Sequence, residues 1–243
     1  MTAREFARDN AARTALLSAV SHDLRTPLAG IKAAIGSLRS REVIWSAEDE
    51  DELKEAIEES ADRLEALVGN LLDMSRLQVG ALIAHPGPTD LGEVIPATLA
   101  TLAAPNRATW EIEPDARYVH ADAGLLDRVL ANVTENALRY QPQGAPVLVR
   151  ASRIADRVEI RVIDTGVGVP PGDQERIFLP FQRQGDVPAG SGVGLGLAVA
   201  RGLAEAMGGR LAAESTPGGG ITMVISLPTR KGQEITRNEE GAG

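Results

Sequence analysis

Residues 53–74 read LKEAIEESADRLEALVGNLLDM. Leu53, Ile57, Ser60, Leu64, Leu67, Leu71 and Met74 recur at steps of 4, 3, 4, 3, 4 and 3. That is a nearly perfect 3.5-residue repeat, the period at which a helix keeps one seam against a partner. Upstream, Leu16, Val20, Leu24, Leu28, Ile31, Ile35 and Leu38 recur at 4, 4, 4, 3, 4 and 3. The break at Ser40–Asp51 is short, so two long helices fold back as an antiparallel hairpin. One hairpin cannot cover both of its apolar stripes. Pairing two hairpins into a four-helix bundle buries them, which predicts a homodimer through the hairpin. The alternative is that the hairpin packs on the rest of its own chain.

Composition narrows the classes. The chain has 243 residues, with 25 Lys+Arg against 34 Asp+Glu, a formal net charge of −9. That balance argues against nucleic acid as a main partner, because phosphate binding needs a clustered basic excess. Aromatic residues are 3% of the chain, which speaks against a stacking surface for single strands. Zero cysteines exclude disulfides, thiolate metal sites and cysteine nucleophiles. No apolar run reaches the ~18 residues of a membrane span. Arg4, Glu5, Arg8 and Asp9 do not suit a signal peptide.

Gly80 and the Pro86-Gly87-Pro88 cluster end the helical half. The predicted division is residues 1–80 as the helical domain, 81–89 as linker, 90–229 as a second domain and 230–243 as a disordered tail. In the second domain the pattern suggests a helix at 90–104 and short strands at Thr109–Ile112 and Tyr118–His120. A helix follows from Asp122, a plausible N-cap, to Tyr140. Val147–Arg153 and Val158–Ile163 alternate as a strand pair. A helix near Gly196–Met207 and strands at Leu211–Glu214 and Ile221–Leu227 complete an α/β layer. The fold class is therefore α+β: a helical-hairpin dimerisation domain followed by an α/β sandwich.

His22 lies in Ser21-His22-Asp23-Leu24-Arg25-Thr26-Pro27-Leu28. It is two residues from both Val20 and Leu24, so at about 100° per residue its ring turns away from the seam toward solvent. Pro27 sits inside the helical pattern and bends it. A surface histidine beside an aspartate is, alone, more often solvated than functional.

Four further elements follow in order. Asn132 and Asn136, in Asn132-Val133-Thr134-Glu135-Asn136-Ala137-Leu138-Arg139-Tyr140, share one helix face. An amide oxygen there suits Mg²⁺ already held by phosphates, and Arg139 can neutralise phosphate charge. Asp164-Thr165-Gly166-Val167-Gly168 follows a strand. Asp164 could accept from an exocyclic amine, and Gly166 and Gly168 let backbone approach a flat base. Ile177-Phe178-Leu179-Pro180-Phe181 reads as a loop with core aromatics. Gly190-Ser191-Gly192-Val193-Gly194-Leu195-Gly196-Leu197 enters a helix as an anion cradle. A Rossmann reading fails for want of a preceding strand and a ribose-binding acid. Each element alone has an ordinary structural explanation: exposed asparagines, a common Asp-x-Gly turn, a glycine-rich loop.

Together the octet and the four elements resemble sensor histidine kinases of two-component systems, over about residues 15–228. The octet resembles their phosphoacceptor box, matching at every position. The four elements resemble the N, G1, F and G2 boxes of the gyrase–Hsp90–histidine kinase–MutL type of ATP-binding domain. The resemblance implies that His22 accepts the γ-phosphoryl group of ATP and passes it to an aspartate of a response-regulator receiver domain. Imidazole, with an ordinary pKa of about 6.5, is largely neutral and nucleophilic at neutral pH. Asp23 would orient the ring or accept its proton. Thr26, one turn on, would position the water that dephosphorylates the regulator. Asn136 would ligate Mg²⁺, Asn132 and Arg139 would serve the phosphates, and Tyr140 would flank the base. Asp164 would read the adenine amine, with Gly166 and Gly168 beside it. Phe181 and Leu197 would join the nucleotide site, and Gly192, Gly194 and Gly196 would close over the phosphates beneath a lid at Gln182–Ser191.

Hydrolysing members of that superfamily carry a water-activating glutamate where this chain has Asn132, which favours transfer to His22. The chain departs from the usual boxes at Arg139, where lysine is common, and at Leu179, where glutamate is. Ile31-Lys32-Ala33-Ala34, Glu59-Ser60-Ala61-Asp62-Arg63-Leu64, Leu71-Leu72-Asp73-Met74-Ser75-Arg76-Leu77, Ala200-Arg201-Gly202-Leu203 and Pro217-Gly218-Gly219-Gly220 resemble the potassium-responsive KdpD type. This implies potassium or osmotic signalling, with membrane contact only through sensor and transmembrane regions absent from this chain. The location expected is the cytoplasmic portion of an inner- or plasma-membrane kinase. The rival reading is a nucleotide-binding dimeric scaffold or phosphatase module without kinase activity; a chaperone-like or topoisomerase-like ATPase conflicts with Asn132 and the phosphoacceptor helix.

Overall fold

Ser46 fixes where the second helix begins. Its hydroxyl accepts from the backbone N–H of Asp49 at 3.1 Å, while Asp49 Oδ2 accepts from the backbone N–H of Ser46 at 3.1 Å. This reciprocal capping box satisfies two otherwise orphaned donors. The Ser46 hydroxyl and backbone N–H hold the Asp49 carboxyl below its ordinary range. The computed structural model describes residues 3–40, 43–102, 104–182 and 194–229, with side chains from Val20 onward.

The chain forms two compact units, one comprising the residues up to Leu82 with Pro170–Gly202, the other Ile83–Val169 with the chain from Leu203 onward. In the first, α1 (Ala3–Arg39) runs through Pro27 and packs against α2 (Ala47–Gln78). Gly30 faces Ser60, where a Cβ would stand 3.2 Å from the hydroxyl oxygen. Among the described residues no helix is long and apolar enough to cross a membrane.

The seam of α1 differs from the one its spacing suggests. Val20, Pro27 and Ala34 are buried, with Leu24, Ile31 and Leu38 half-buried, but Leu28 and Ile35 are exposed. Each four-residue step overshoots a full turn by about 40°, so two in succession carry Leu28 about 80° off the line through Val20. Ile35 lies about 60° off the same line. Val68 and Leu72 of α2 are displaced in the same sense and are exposed too. The hairpin therefore has an inner seam and a second, uncovered apolar flank.

The second unit is a five-stranded sheet under helices. Its strands are β2 (Ala108–Ile112), β4 (Val147–Ile154), β5 (Arg157–Ile163), β6 (Arg210–Ser215) and β7 (Ile221–Pro228), in the order β2-β4-β5-β7-β6. Only β2 and β4 run parallel. Val149, Val162, Met223 and Ala213 share one register row, and Ala151, Ile160, Ile225 and Leu211 another. Most of these are fully buried, against the apolar faces of α3 (Leu91–Ala100) and α4 (Ala123–Tyr140). The opposite face carries Arg150, Arg161 and Glu159, the alternation expected of a sheet covered on one side. Asp90 and Asp122 cap α3 and α4.

The strand and helix expectations hold to within a few residues. The exception is β1 (Gly87–Asp90), which pairs antiparallel with β3 (Tyr118–Ala121) in a stretch the sequence suggests is linker. Pro88 hides it, because proline is confined to strand edges and so masks a strand pattern. Residues 230–243 lie outside the described residues.

Candidate active site

On α1 the His22 side chain is 61% exposed, while the Asp23 carboxylate beside it is only 4% exposed. The two-residue turn from the seam places the imidazole outward, as the spacing implies. Its Nδ1 lies 2.8 Å from Asp23 Oδ1. A carboxylate only accepts, so in the neutral ring this contact assigns the proton to Nδ1 and leaves the Nε2 lone pair outward. Thr26, one turn on and exposed, donates its hydroxyl to the His22 carbonyl at 3.3 Å.

In the second unit, α4 presents Asn132 and Asn136 one turn apart, both half-buried. Asn132 Nδ2 donates to the Arg128 carbonyl at 3.0 Å. The Asn136 amide has no hydrogen-bond partner among the described residues, so its oxygen is available to a ligand. No cluster of three acidic or histidine side chains among the described residues could hold a metal. A cation here would be bound chiefly by phosphates that it shares with a neutral amide oxygen. Arg139 is exposed and Tyr140 half-buried at the end of the helix.

Asp164 follows β5 and is 1% exposed. Its Oδ1 accepts from the backbone N–H of Gly166 at 2.9 Å and of Ile221 at 3.2 Å, and Oδ2 takes neither bond. Burial pushes this carboxyl up, and the two backbone N–H groups offset that only in part. The loop is tightly enclosed. A Cβ on Gly166 would collide with the Tyr140 carbonyl, and one on Gly220 with the Asp164 carbonyl. Gly168, at φ +67°, would bring a Cβ to 2.8 Å from the Gly220 carbonyl. Tyr140, Asp164, Gly166 and Gly168 are thus brought together, and Gly220 joins them.

In the first unit, Phe181 donates its backbone N–H to the Gly194 carbonyl at 3.0 Å. Phe181 adopts φ +65°, unusual for a residue with a side chain, and Gly194 has φ +72° with the Gln182 carbonyl 2.8 Å from where a Cβ would sit. Phe178 is buried beneath Arg201, whose guanidinium lies 3.6 Å from the ring centre and reaches Glu175 at 2.8 Å. Gly196 opens α5 (Gly196–Ala206), with Leu197 half-buried behind it. Gly192 and all but Gln182 of the expected lid lie outside the described residues.

Residues 12–80 match the His Kinase A (phospho-acceptor) domain, and residues 121–231 match the histidine kinase-, DNA gyrase B-, and HSP90-like ATPase domain. The chain carries the phospho-acceptor and ATPase domains of a histidine kinase. It is 49% identical over 232 residues to the sensor protein KdpD of Mycobacterium tuberculosis (strain ATCC 25618 / H37Rv), covering 93% of this chain and 27% of that protein. It is 33% identical over 232 residues to KdpD of Escherichia coli (strain K12), covering 94% of this chain and 26% of that one. Among solved structures, full-length ShkA in complex with AMPPNP superposes with a TM-score of 0.61 at 29% identity, over 89% of this chain and 46% of that one. The chain spans about a quarter of the length of these KdpD relatives.

For a histidine kinase, two residues here had no assigned role from sequence. Gly220 was visible only as part of a glycine turn, and nothing in that run tells that Asp164 backbone presses against it. Arg201 sits in a helix where an arginine needs no explanation, and only the fold puts Phe178 under it.

Proposed function

We propose that this chain is a kinase core in which bound ATP phosphorylates His22, and that the phosphoryl group then moves to an aspartate of a separate response-regulator receiver domain. The observation that carries this reading is the His22–Asp23 contact, a buried carboxylate on Nδ1 of an exposed ring. Nε2 attacks the γ-phosphorus, an N–P bond forms, the bond to the β,γ-bridging oxygen breaks, and ADP leaves with that electron pair. As positive charge grows on the ring, Asp23 stabilises the Nδ1–H. The work is otherwise positioning and charge neutralisation. Mg²⁺, when bound, neutralises the phosphate oxygens, with Asn136 the residue to hold it.

Asn132 and Arg139 serve the phosphates, Tyr140 and Phe181 flank the nucleotide with Leu197, and Gly192, Gly194 and Gly196 line the phosphate cradle. Asp164 Oδ2 accepts from the adenine amine beside Gly166 and Gly168. Asn132 offers an amide rather than a carboxylate, which supports transfer over hydrolysis. In the reverse regulatory direction, Thr26 positions water for dephosphorylation of the regulator.

The uncovered flank of Leu28, Ile35, Val68 and Leu72 supports a homodimer through a four-helix bundle. The proposed division is residues 1–80 for dimerisation and phosphoacceptance, 81–89 as linker and 90–229 for nucleotide binding. Likeness to KdpD supports a potassium or osmotic role, in the cytoplasmic portion of a membrane-anchored kinase. The test is a chase: the chain is labelled from γ-labelled ATP, freed of nucleotide and mixed with a cognate receiver domain. Loss of label from the chain with matching gain on the receiver is expected; release only as inorganic phosphate, with no receiver intermediate trapped at early times, would overturn the transfer.

A further inference from the structure

We infer that Gln141 is a positioning residue that sets the adenine specificity of the site; this rests on the reading of Asp164 as the group that meets the adenine amine. Gln141 ends α4 and is 6% exposed, too enclosed for a solvated glutamine. Its side-chain amide is used at both ends. Nε2 donates to the Pro146 carbonyl at 2.9 Å, and Oε1 accepts from the Thr165 backbone N–H at 2.8 Å. Its own backbone is fixed as well: its N–H donates to the Ala137 carbonyl at 2.9 Å, and its carbonyl accepts from Arg107 Nη2 at 3.1 Å.

The register explains what the amide does. β4 and β5 pair antiparallel, with Leu148 opposite Ile163 as the last partners. Continuing that ladder by two residues places Pro146 opposite Thr165. Those are the two residues the Gln141 amide joins. The side chain stands between the strands as a spliced-in peptide group, holding them apart where they would otherwise close on each other.

Thr165 is next to Asp164, so the spacer fixes the carboxyl that the site presents to the base. Without it, the part-buried Thr165 N–H loses its acceptor or closes directly on the Pro146 carbonyl, and either outcome shifts Asp164. Phosphate-binding groups elsewhere are untouched, so the effect falls on base discrimination.

ADP and IDP differ at the six-position, an amine against an oxo group, and report this directly. Calorimetry on the full chain with Mg²⁺ would compare wild type, Gln141→Met, Asp164→Asn and the double variant. We expect Gln141→Met to lower the ADP-over-IDP preference about tenfold, and the double variant to add little to Asp164→Asn. Gln141→Asn, one methylene too short to span both partners but still an amide, should fall in the same direction. A residue that merely stabilised the fold would lower the unfolding temperature and leave the preference intact. An unchanged preference in both Gln141 variants, with Asp164→Asn having lost it, overturns the role of Gln141. An unchanged preference in Asp164→Asn overturns the adenine reading itself.

Discussion

Asp164→Asn separates recognition from stability. The carboxyl is buried, and Oδ1 already accepts from Gly166 and Ile221. Burial raises its pKa above the ordinary 3.8, so the folded chain holds this proton more tightly than the unfolded chain. The stability contributed by the neutral acid is full below the unfolded value and is lost as pH rises through the raised folded value. At pH 7 the wild type therefore carries the cost of a buried carboxylate. Asparagine can keep Oδ1 on the same two N–H groups without that charge. The variant should unfold at an equal or higher urea midpoint than wild type at pH 7, and the gap should close below about pH 4. Recognition moves the other way. An amide N–H₂ now faces the adenine amine, and a hydrogen bond to a charged acceptor, worth about 1.5–3 kcal/mol, is lost. ADP affinity should fall about 10- to 150-fold. Calorimetry with ADP and Mg²⁺, with urea unfolding of the nucleotide-free chain at both pH values, reads both effects. Unchanged ADP affinity in the folded variant would refute the assignment of Asp164. A midpoint well below wild type at pH 7 would refute the account of its buried charge.

The Thr134 hydroxyl is fully buried with no hydrogen-bond partner among the described residues, so Thr134→Val should raise unfolding free energy by about 1 kcal/mol in denaturant titration; a loss would mean the hydroxyl is satisfied. Leu28→Glu with Leu72→Glu places charge on the uncovered flank of the hairpin and should weaken the dimer at least about tenfold by sedimentation; an undisturbed dimer would show that the two-fold lies elsewhere. Asn136→Ala should weaken ADP binding about tenfold with Mg²⁺ present and little in chelator, whereas equal losses in both would argue against a metal role.

The helical half was legible because its period survives in the residue types, and the order of the four nucleotide elements is a pattern along the chain. What escaped was geometry that spacing does not encode. The repeated 4, 4, 4 steps of α1 look like one seam in sequence, yet their accumulated rotation splits Leu28 and Ile35 from Val20 and Ala34. β1 was invisible because Pro88 and two flanking small residues carry no alternation, and only pairing with β3 makes it a strand. Gln141 follows the asparagine helix with nothing in its neighbours to mark it. Its use depends on Pro146 and Thr165 coming opposite each other, a long-range fact of register. Asp164 was read from its glycines, but the pressure of Gly220 on its backbone comes from a turn more than fifty residues away.

The proposed kinase chemistry depends above all on His22 as the acceptor. Wild type and His22→Ala, both shown to bind ADP, would be incubated with γ-labelled ATP and Mg²⁺, and the protein-bound label tested in acid and in base. Label is expected on wild type alone, lost in acid and retained in base, as a phosphoramidate requires. Label of the same stability on His22→Ala, or none on a wild type that binds ATP, would contradict it.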